Sequence, residues 1–295
     1  MPRPGSGEVR VEIRAAGVNP VDTQNRADGA WAEIEAPAIL GSDYSGVVDD
    51  VGPLVAAWAP GQDVFGLAPF RGCTAGTYAE YHVTSADSLL PKPRNLDHTE
   101  AAAVPLAAGT AYTALVKRLA LRPDEVVLIH GAGGGVGTFA VQIAQALGAR
   151  VIAVASRRHH GLLADLGVRH CLDYRDEDLV ANVSRLAPGG VDAIFDVVGS
   201  DTLASSLPLL REGARGASIV GLEGDLELAI DRNLTLHGVL LDARDREVLE
   251  AVRDLCEAGS LRPIVSRVYP LHEVADAHRH IEAGHVQGKV VLSVP

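Results

Sequence analysis

The chain has 295 residues, a formal net charge of −12 and 47% hydrophobic residues, so it is long enough for two domains with buried cores. Its acidic balance, with no run of more than two basic residues, argues against nucleic acid or an anionic membrane as a partner. Three widely spaced cysteines, and residues 1–8 without the apolar core of a signal peptide, lead us to expect a cytoplasmic protein.

The first part of the chain reads as a series of short strands. Apolar and β-branched residues recur between residues 8 and 84, and Gly and Pro interrupt them. The segment Pro91-Lys-Pro93 then marks a boundary, because proline interrupts both helices and strand pairing. The predicted strands before it are Val9–Ala15, Gly46–Val51, Val64–Leu67 and Tyr78–Val83.

A glycine-dense turn follows the apolar strand Val126–His130 and leads into an amphipathic helix. Another apolar strand, Val151–Ala155, comes after the helix. Glycine lets the backbone approach a pyrophosphate, and the amides at the start of the helix favour its charge. The strict G-x-G-x-x-G spacing is not met, but the order of elements predicts a dinucleotide site; a glycine-rich loop without a ligand is the alternative. The predicted contacts are Gly131, Gly133, Gly134, Gly135, Val136 and Gly137.

Strands and helices alternate from residue 93 to residue 241, as a doubly wound parallel sheet requires. The fold class expected for the chain is therefore α/β. Further strands are predicted at His170–Leu172, Ala193–Val197, Ala217–Val220 and Gly238–Leu241, followed by helices at Asp245–Ala258 and Glu273–Ala283 and a final strand at Lys289–Val294.

The residues after the strand Val151–Ala155 indicate which nicotinamide cofactor is bound. An NAD site has an acidic residue about twenty positions past the glycines, which binds the ribose 2′-hydroxyl. Ser156, Arg157 and Arg158 stand in that place, and the next acid is Asp165. A hydroxyl and two guanidinium groups suit a 2′-phosphate, so we predict NADPH; a solvated arginine pair is the alternative.

Three further positions are predicted to flank the cofactor. Thr110 stands at a helix start, whereas Val198 and Gly221 follow strands. The carboxyl ends of parallel strands face the ligand crevice of an open sheet, so residues there can contact the cofactor.

The sequence predicts no metal site. A catalytic zinc ion needs about three ligands from Cys, His or carboxylate, and a structural one usually takes four cysteines. The chain has three cysteines and no C-x-x-C pair. Its clustered histidines do not share one helical face, so we expect them to form a solvated polar surface. These histidines are His159, His160, His272, His278, His280 and His285.

Segments along nearly the whole chain resemble the medium-chain dehydrogenase/reductase superfamily, in its zinc-free, zeta-crystallin-like quinone oxidoreductase branch. They occur in the order that the family has. The matching segments are Ala15–Thr23, Leu40–Val48, Gly61–Gly66, Ala108–Leu115, Gly131–Gly137, Asp173–Asp176, Asp196–Gly199 and Gly288–Leu292.

The resemblance implies a GroES-like catalytic domain, residues 1–92 and 242–295, around an inserted Rossmann domain, residues 93–241. It implies that Asn19 and Asp22 belong to the active-site stretch, with the Asn19 amide as a donor to a carbonyl oxygen. Asp22 is at least as well explained as a helix N-cap. The resemblance also implies that Tyr174 lies beside the 2′-phosphate, although a half-buried loop aromatic explains that residue equally well.

Asn19 and Ser42 stand where zinc-dependent relatives have a cysteine and a histidine. Without a Lewis acid, simple alcohols are poor substrates, so the resemblance implies hydride transfer to a quinone or an α,β-unsaturated carbonyl. An enoyl-thioester reductase, or an NADPH-binding protein with little turnover, is the alternative. The family further suggests a homodimer.

Two features depart from the family pattern. Gln24 stands where quinone reductases often have a tyrosine, so no acid role carries over to that position. Family members usually have more chain before the Pro2–Val9 segment, and we therefore expect an edge strand of the catalytic domain to be absent.

Overall fold

A computed structural model describes residues 1–175 and 178–295, which form two compact units. The first unit comprises residues 1–109 and 242–295, and the second comprises residues 110–241. Helix α3 begins in the first unit and ends in the second. The first unit contains β1 (Glu8–Val18), α1 (Pro20–Ala27), β2 (Asp43–Val51), β3 (Asp63–Leu67), β4 (Tyr81–Ser85), β5 (Leu89–Pro91), α2 (His98–Ala102), α3 (Pro105–Tyr112), α9 (Arg246–Glu257), β12 (Val265–Pro270), α10 (Val274–Glu282) and β13 (Lys289–Ser293).

The second unit continues from α3 through a π-helix, Thr113–Arg118. None of the helices formed by the described residues has the length and apolar character needed to span a bilayer. The remaining elements are β6 (Val126–His130), α4 (Gly135–Ala146), β7 (Arg150–Val154), α5 (His160–Asp165), β8 (His170–Leu172), α6 (Leu179–Leu186), β9 (Val191–Asp196), α7 (Thr202–Ser206), β10 (Leu210–Ser218), α8 (Glu227–Asp231) and β11 (Thr235–Gly238).

Strand β1 is the centre of the sheet in the first unit. The strand order is β12-β13-β1-β2-β3-β5, and β4 also pairs with β1. Val9, Val11 and Ile13 alternate along β1 and are fully buried against Tyr44 and Leu89. This period of two is the pattern that predicted the strand, because alternate side chains point to the same face of a sheet.

Three strands of this sheet differ from the prediction. The expected strand Tyr78–Val83 begins only at Tyr81. Neither β5 nor β12 was predicted: β5 has three residues, and half of the residues of β12 are exposed at the edge of the sheet. A short strand or an exposed edge strand need not bury an apolar run, so it leaves little signal in the sequence.

The six strands of the second unit form one parallel sheet in the order β11-β10-β9-β6-β7-β8. The chain reverses its direction of progress across the sheet between β6 and β9, which are neighbours. In an open parallel sheet such a switch point opens a crevice at the carboxyl ends of the strands. The predicted fold class, a doubly wound parallel sheet beside a β-rich unit, is confirmed.

Two predicted strands at the end of this sheet are wrong. Ala217–Val220 is only the end of β10, which runs from Leu210 and carries a register irregularity before Arg215. The prediction Gly238–Leu241 begins where β11 ends. The charged and glycine-rich start of β10 looks like a loop in the sequence, and this concealed most of the strand.

Residues 93–109 lie in the first unit, although the sequence suggested that the inserted domain starts at residue 93. Helix α2 begins at a capping box, in which Asp97 and Glu100 each accept the other's backbone amide. Its Ala102 packs against Ala15 of β1. The domain boundary at residue 93 stays a prediction.

The glycine turn between β6 and α4 depends on close backbone contacts. Gly131 has φ of +68°, a conformation that side chains disfavour. A Cβ atom on Gly137 would lie 2.2 Å from the Gly131 carbonyl oxygen and 2.6 Å from Cα of Ala132. At Gly134 the nearest atom would be 3.5 Å away. The start of α4 therefore lies against the turn only because residue 137 has no side chain.

One buried ion pair joins distant parts of the first unit. Lys289 is at the start of β13, and Asp43 is at the start of β2. The Lys289 ammonium donates to Asp43 Oδ2 at 3.2 Å. Asp43 is completely buried and Lys289 is 3% exposed. The amide of Leu106 also donates to Asp43 Oδ1 at 2.7 Å. The carboxylate is thus compensated by a cation and by a backbone donor.

We predict that Gly137→Ala destabilises the second unit by about 1–3 kcal/mol, because the new methyl group meets backbone atoms that cannot move aside. The matched variant Gly134→Ala should cost less than about 1 kcal/mol. Urea unfolding followed by circular dichroism measures both. Equal losses of stability would contradict the packing described for the turn.

We also predict that Lys289→Met destabilises the first unit by about 3–5 kcal/mol, since it leaves Asp43 buried without a cation. The double variant Asp43→Asn/Lys289→Met should recover part of that loss, because it removes both charges. Urea unfolding of the parent protein and the two variants tests this. A single variant as stable as the parent would show that the pair is not needed.

Candidate functional site

Asp196, at the end of β9, fixes the loops at the switch point. Its Oδ1 accepts the amide of Val198 at 2.8 Å, and its Oδ2 accepts the hydroxyl of Ser218 at 3.0 Å. The amide of Gly221 lies 3.4 Å from that same hydroxyl oxygen. Two predicted cofactor positions, Val198 and Gly221, are therefore held at adjacent strand ends.

The glycine turn lies beside these loops and beside β7. A Cβ atom on Gly131 would meet Val197 at 2.6 Å and Val198 at 3.0 Å. The amide of Ala132 donates to the carbonyl of Val154, the last residue of β7, at 3.1 Å. The predicted pyrophosphate residues thus occupy the carboxyl edge of the sheet, next to the loops after β7 and β9. Thr110, in α3, is 6% exposed, and its contact with a cofactor stays a prediction.

Asp173 joins the loops after β7 and β8. Its Oδ2 accepts the amide of Arg157 at 2.9 Å, and its Oδ1 accepts the amide of Arg175 at 3.0 Å. The backbone hydrogen bond from Arg175, followed by that from Arg157, lowers the pKa of Asp173 from its ordinary value against the effect of desolvation. The carboxylate therefore positions the loops that carry the basic side chains.

Tyr174 is 48% exposed, which matches the half-buried loop aromatic considered from the sequence, and its place beside a 2′-phosphate stays a prediction. The guanidinium carbon of Arg175 lies 5.1 Å from the centroid of its ring. Arg175 belongs to the segment Asp173–Asp176 but was not predicted as a site residue. Asp176 lies outside the described residues.

Two buried polar atoms on the loop after β7 have no hydrogen-bond partner in the structure. Ser156 is 4% exposed and its Oγ is unpartnered; His159 is 6% exposed and its Nδ1 is unpartnered. The imidazole lies against the glycine turn, since a Cβ atom on Gly133 would be 2.6 Å from His159 Cγ. The prediction of a solvated His159 is wrong, because a glycine makes room for its ring. His160 is half-buried.

In the first unit, Asn19 and Asp22 are both buried at the start of α1. Asn19 is the N-cap residue, and its backbone amide donates to Asp22 Oδ2 at 2.8 Å. Asp22 is therefore the third residue of the helix, and the alternative that it is the N-cap is wrong. Its carboxylate instead reaches back to the cap, so it positions Asn19.

The Asn19 side chain joins the buried ion pair. Its Nδ2 donates to Asp43 Oδ2 at 2.9 Å, and its Oδ1 accepts a short hydrogen bond from Lys289. The ammonium group also lies 3.4 Å from the carbonyl oxygen of Val18. One N–H of the Asn19 side-chain amide is thereby used within the protein.

Tyr78 completes this group of polar side chains by donating to Asp22 Oδ2 at 2.7 Å. Burial raises the pKa of Asp22 to about 6, against the hydrogen bonds from Tyr78 and Asn19. Burial, followed by the charge of Asp22, raises the pKa of Tyr78 well above its usual value. Tyr78 therefore keeps its proton near neutral pH and remains a donor.

His278 lies beside Tyr78, with 5.8 Å between the ring centroids. It is 3% exposed, so the prediction of a solvated residue is wrong for this histidine as well. Its Nδ1 lies 3.2 Å from Nη1 of Arg26, which explains how a polar ring fits between α1 and α10.

Sequence reasoning did not identify Asp43, Lys289 or Tyr78 as site residues. Lys289 begins an otherwise apolar strand, and a charge in a buried strand requires a partner. This was a usable signal, although it does not reveal Asp43 as that partner. Among residues 1–175 and 178–295, no group of three Cys, His, Asp or Glu side chains is close enough to hold a metal ion.

Comparisons with known proteins agree with this architecture. Residues 5–94 match the alcohol dehydrogenase GroES-like domain, and residues 166–292 match a family described as zinc-binding dehydrogenase. The quinone oxidoreductase of Sus scrofa is 31% identical over 303 residues, which cover 99% of this chain and 91% of that protein.

Solved structures are similar over the whole length. An NAD-dependent alcohol dehydrogenase has a TM-score of 0.93 and 34% identity, covering 100% of this chain and 94% of that chain. CurK enoyl reductase has a TM-score of 0.88 and 28% identity, covering 100% and 93%. The GroES-like prediction for the N-terminal region is confirmed by the family match. The chain belongs, as an oxidoreductase, to the quinone oxidoreductase branch of the medium-chain dehydrogenase/reductase superfamily.

Proposed function

We propose that the protein is an NADPH-dependent, zinc-independent reductase of a quinone or an α,β-unsaturated carbonyl. The observation that carries the cofactor assignment is the loop after β7. There, an unpartnered Ser156 hydroxyl lies at the base of a loop that carries Arg157 and Arg158. Such groups suit a 2′-phosphate better than a 2′-hydroxyl.

The residues present fit the proposed cofactor in two further respects. The glycine turn offers amides at the start of α4, a twelve-residue helix, to a pyrophosphate. Asp173 is the acid beside the loop after β7, but both of its carboxylate oxygens already accept hydrogen bonds from backbone amides. It is therefore a poor ligand for the ribose hydroxyl of NADH. NADPH, when bound, supplies the hydride of the reaction.

Asn19 is our candidate for the group that contacts the acceptor. Negative charge develops on the acceptor oxygen during reduction, and the second N–H of the Asn19 amide can stabilise it. Lys289 bonds Asn19 Oδ1 and so polarises the amide towards donation. Asp22 holds the backbone of Asn19 in place and acts as a positioning residue.

Zinc independence is supported by the donor set around Asn19. The amide of Asn19 and the ammonium of Lys289 are poor zinc ligands, as is the hydroxyl of Ser42, the residue before Asp43 in the chain, whereas zinc prefers thiolate, imidazole and carboxylate. The ammonium group already compensates the Asp43 carboxylate. A divalent cation at the same place would meet a like charge.

An enoyl-thioester reductase is the second candidate, and the similarity to CurK enoyl reductase favours it. An NADPH-binding protein with little turnover is a third reading of the same sites. We further propose that the substrate is a small molecule, that the protein is a cytoplasmic homodimer, and that neither nucleic acid nor a membrane is its partner.

We predict that the purified protein oxidises NADPH in the presence of quinones or enones, and that dialysis against a chelator leaves the rate unchanged. Absorbance of the reduced nicotinamide measures the rate with quinones, enones and enoyl thioesters in parallel. Turnover of thioesters alone would favour the second candidate. NADPH binding without oxidation by any acceptor would favour a binding protein, and loss of activity with the chelator would contradict zinc independence.

We predict that Arg157→Ala weakens NADPH binding by about 10- to 100-fold, as expected for the loss of a charge-assisted contact, and changes NADH binding little. Arg169→Ala, which removes the same charge from an exposed site before β8, is the matched control. Quenching of intrinsic fluorescence gives both dissociation constants. Equal weakening for NADPH and NADH would count against a phosphate contact.

A further inference from the structure

His159 is a buried imidazole that lies against Gly133, a residue of the glycine turn predicted to bind the cofactor. Its ring lies against Gly133, within the loop that also carries Ser156 and Arg157. The loop is short: the amide of His159 donates to the carbonyl of Ser156 at 2.8 Å. This hydrogen bond fixes the backbone of His159 close to Ser156.

The hydrogen bonds of His159 define where its proton lies. Arg158 Nε donates to His159 Nε2 at 3.3 Å, so this nitrogen is an acceptor and the neutral ring carries its proton on Nδ1. Nδ1 is buried and has no partner in the structure. A buried donor without an acceptor is costly, and an anionic oxygen beside the loop would remove that cost.

The charged and titratable groups that face His159 are Arg158 and His160. The glycine turn packed against the ring contributes no titratable side chain. Desolvation, followed by the charges of Arg158 and His160, lowers the pKa of His159 from its ordinary value. Without a bound anion the ring is therefore neutral at physiological pH.

We propose that His159 is a titratable ligand of the cofactor 2′-phosphate, so that NADPH binding takes up a proton whereas NADH binding does not. This inference rests on the proposed preference for NADPH. Nδ1–H donates to a phosphate oxygen, and the phosphate charge stabilises the imidazolium. The incoming proton binds Nε2, so the Arg158 Nε–H must turn away from the ring. The phosphate can then accept the hydrogen bond that Arg158 no longer makes to the ring.

The sign of the effect follows from linkage. A bound dianion raises the pKa of His159 above its value in the free protein, so the complex holds more protons between the two pKa values. NADPH affinity is then greatest at low pH and falls as pH rises through the pKa of the complex. For the uptake of one proton, the dissociation constant of NADPH changes by at most about tenfold per pH unit.

The test is calorimetric titration of the whole protein with NADPH and with NADH between about pH 7 and pH 8.5. A phosphate monoester has its second pKa at about 6, so the 2′-phosphate of the free cofactor is already a dianion over this range. Titrations in two buffers of different ionisation enthalpy give the number of protons taken up. We expect uptake of up to one proton for NADPH that decreases as pH rises, none for NADH, and a dissociation constant for NADPH that rises with pH.

Three variants separate His159 from its surroundings. His159→Gln should bind NADPH more weakly and with no proton uptake, and His159→Lys should bind it with an affinity that does not change over this range. The matched control is His170→Gln, which removes an exposed imidazole at the start of β8 and should keep the pH dependence of the parent. NADH affinity in each variant reports whether the turn still folds.

The outcomes distinguish this inference from the proposed function. A protein that prefers NADPH equally at every pH, with no proton uptake, overturns the role of His159 and leaves the cofactor assignment intact. The same pH dependence in His159→Gln as in the parent also overturns it. If NADPH binds no more tightly than NADH at any pH, the cofactor assignment itself fails and the inference fails with it.

Discussion

The cost of burying charge is the constraint on which the first unit depends. Asp43 is fully buried, and a carboxylate without a partner in such a place costs several kcal/mol. Its partner, Lys289, is 246 residues away in the sequence, so the charge requirement joins the two ends of the unit. Asn19 lies between the two charges and bonds both. The candidate catalytic amide is therefore positioned by an interaction whose first role is to make the sheet possible.

The buried carboxylates of the second unit are compensated by backbone donors and not by a buried lysine. Asp196 and Asp173 each accept backbone amides from loops at the carboxyl edge of the sheet. A carboxylate used in this way fixes a loop without requiring a lysine or arginine beside it. The result is an edge at which loops are held by acids while Arg157 and Arg175 supply positive charge. That arrangement suits an anionic ligand and explains why acids and bases occur together there.

The sequence predicted best where structure is set by neighbouring residues. The strand Val126–His130 was predicted with the bounds that it has, and the Gly131–Gly137 turn follows it directly, because backbone geometry there is local. Helix α9 was expected one residue longer at each end, since Asp245 is its cap. His159 was misread, because its burial depends on a glycine 26 positions earlier, which lies beside it only after the sheet forms. The partnership of Asp43 and Lys289 was missed for the same reason: no local pattern encodes a contact over 246 residues.

The pairing of β1 with β13 has a consequence for biosynthesis. Ala15–Val18 pair with residues 290–293, which leave the ribosome only after the whole of the second unit. The second unit, residues 110–241, is by then complete and contains every strand of its own sheet. Domains generally fold as units as they emerge, so the nascent chain holds a finished parallel sheet while Ala15–Val18 of β1 still lack the partner strand that β13 supplies. Until β13 appears, the backbone groups of this end of β1 are open to pairing with another chain.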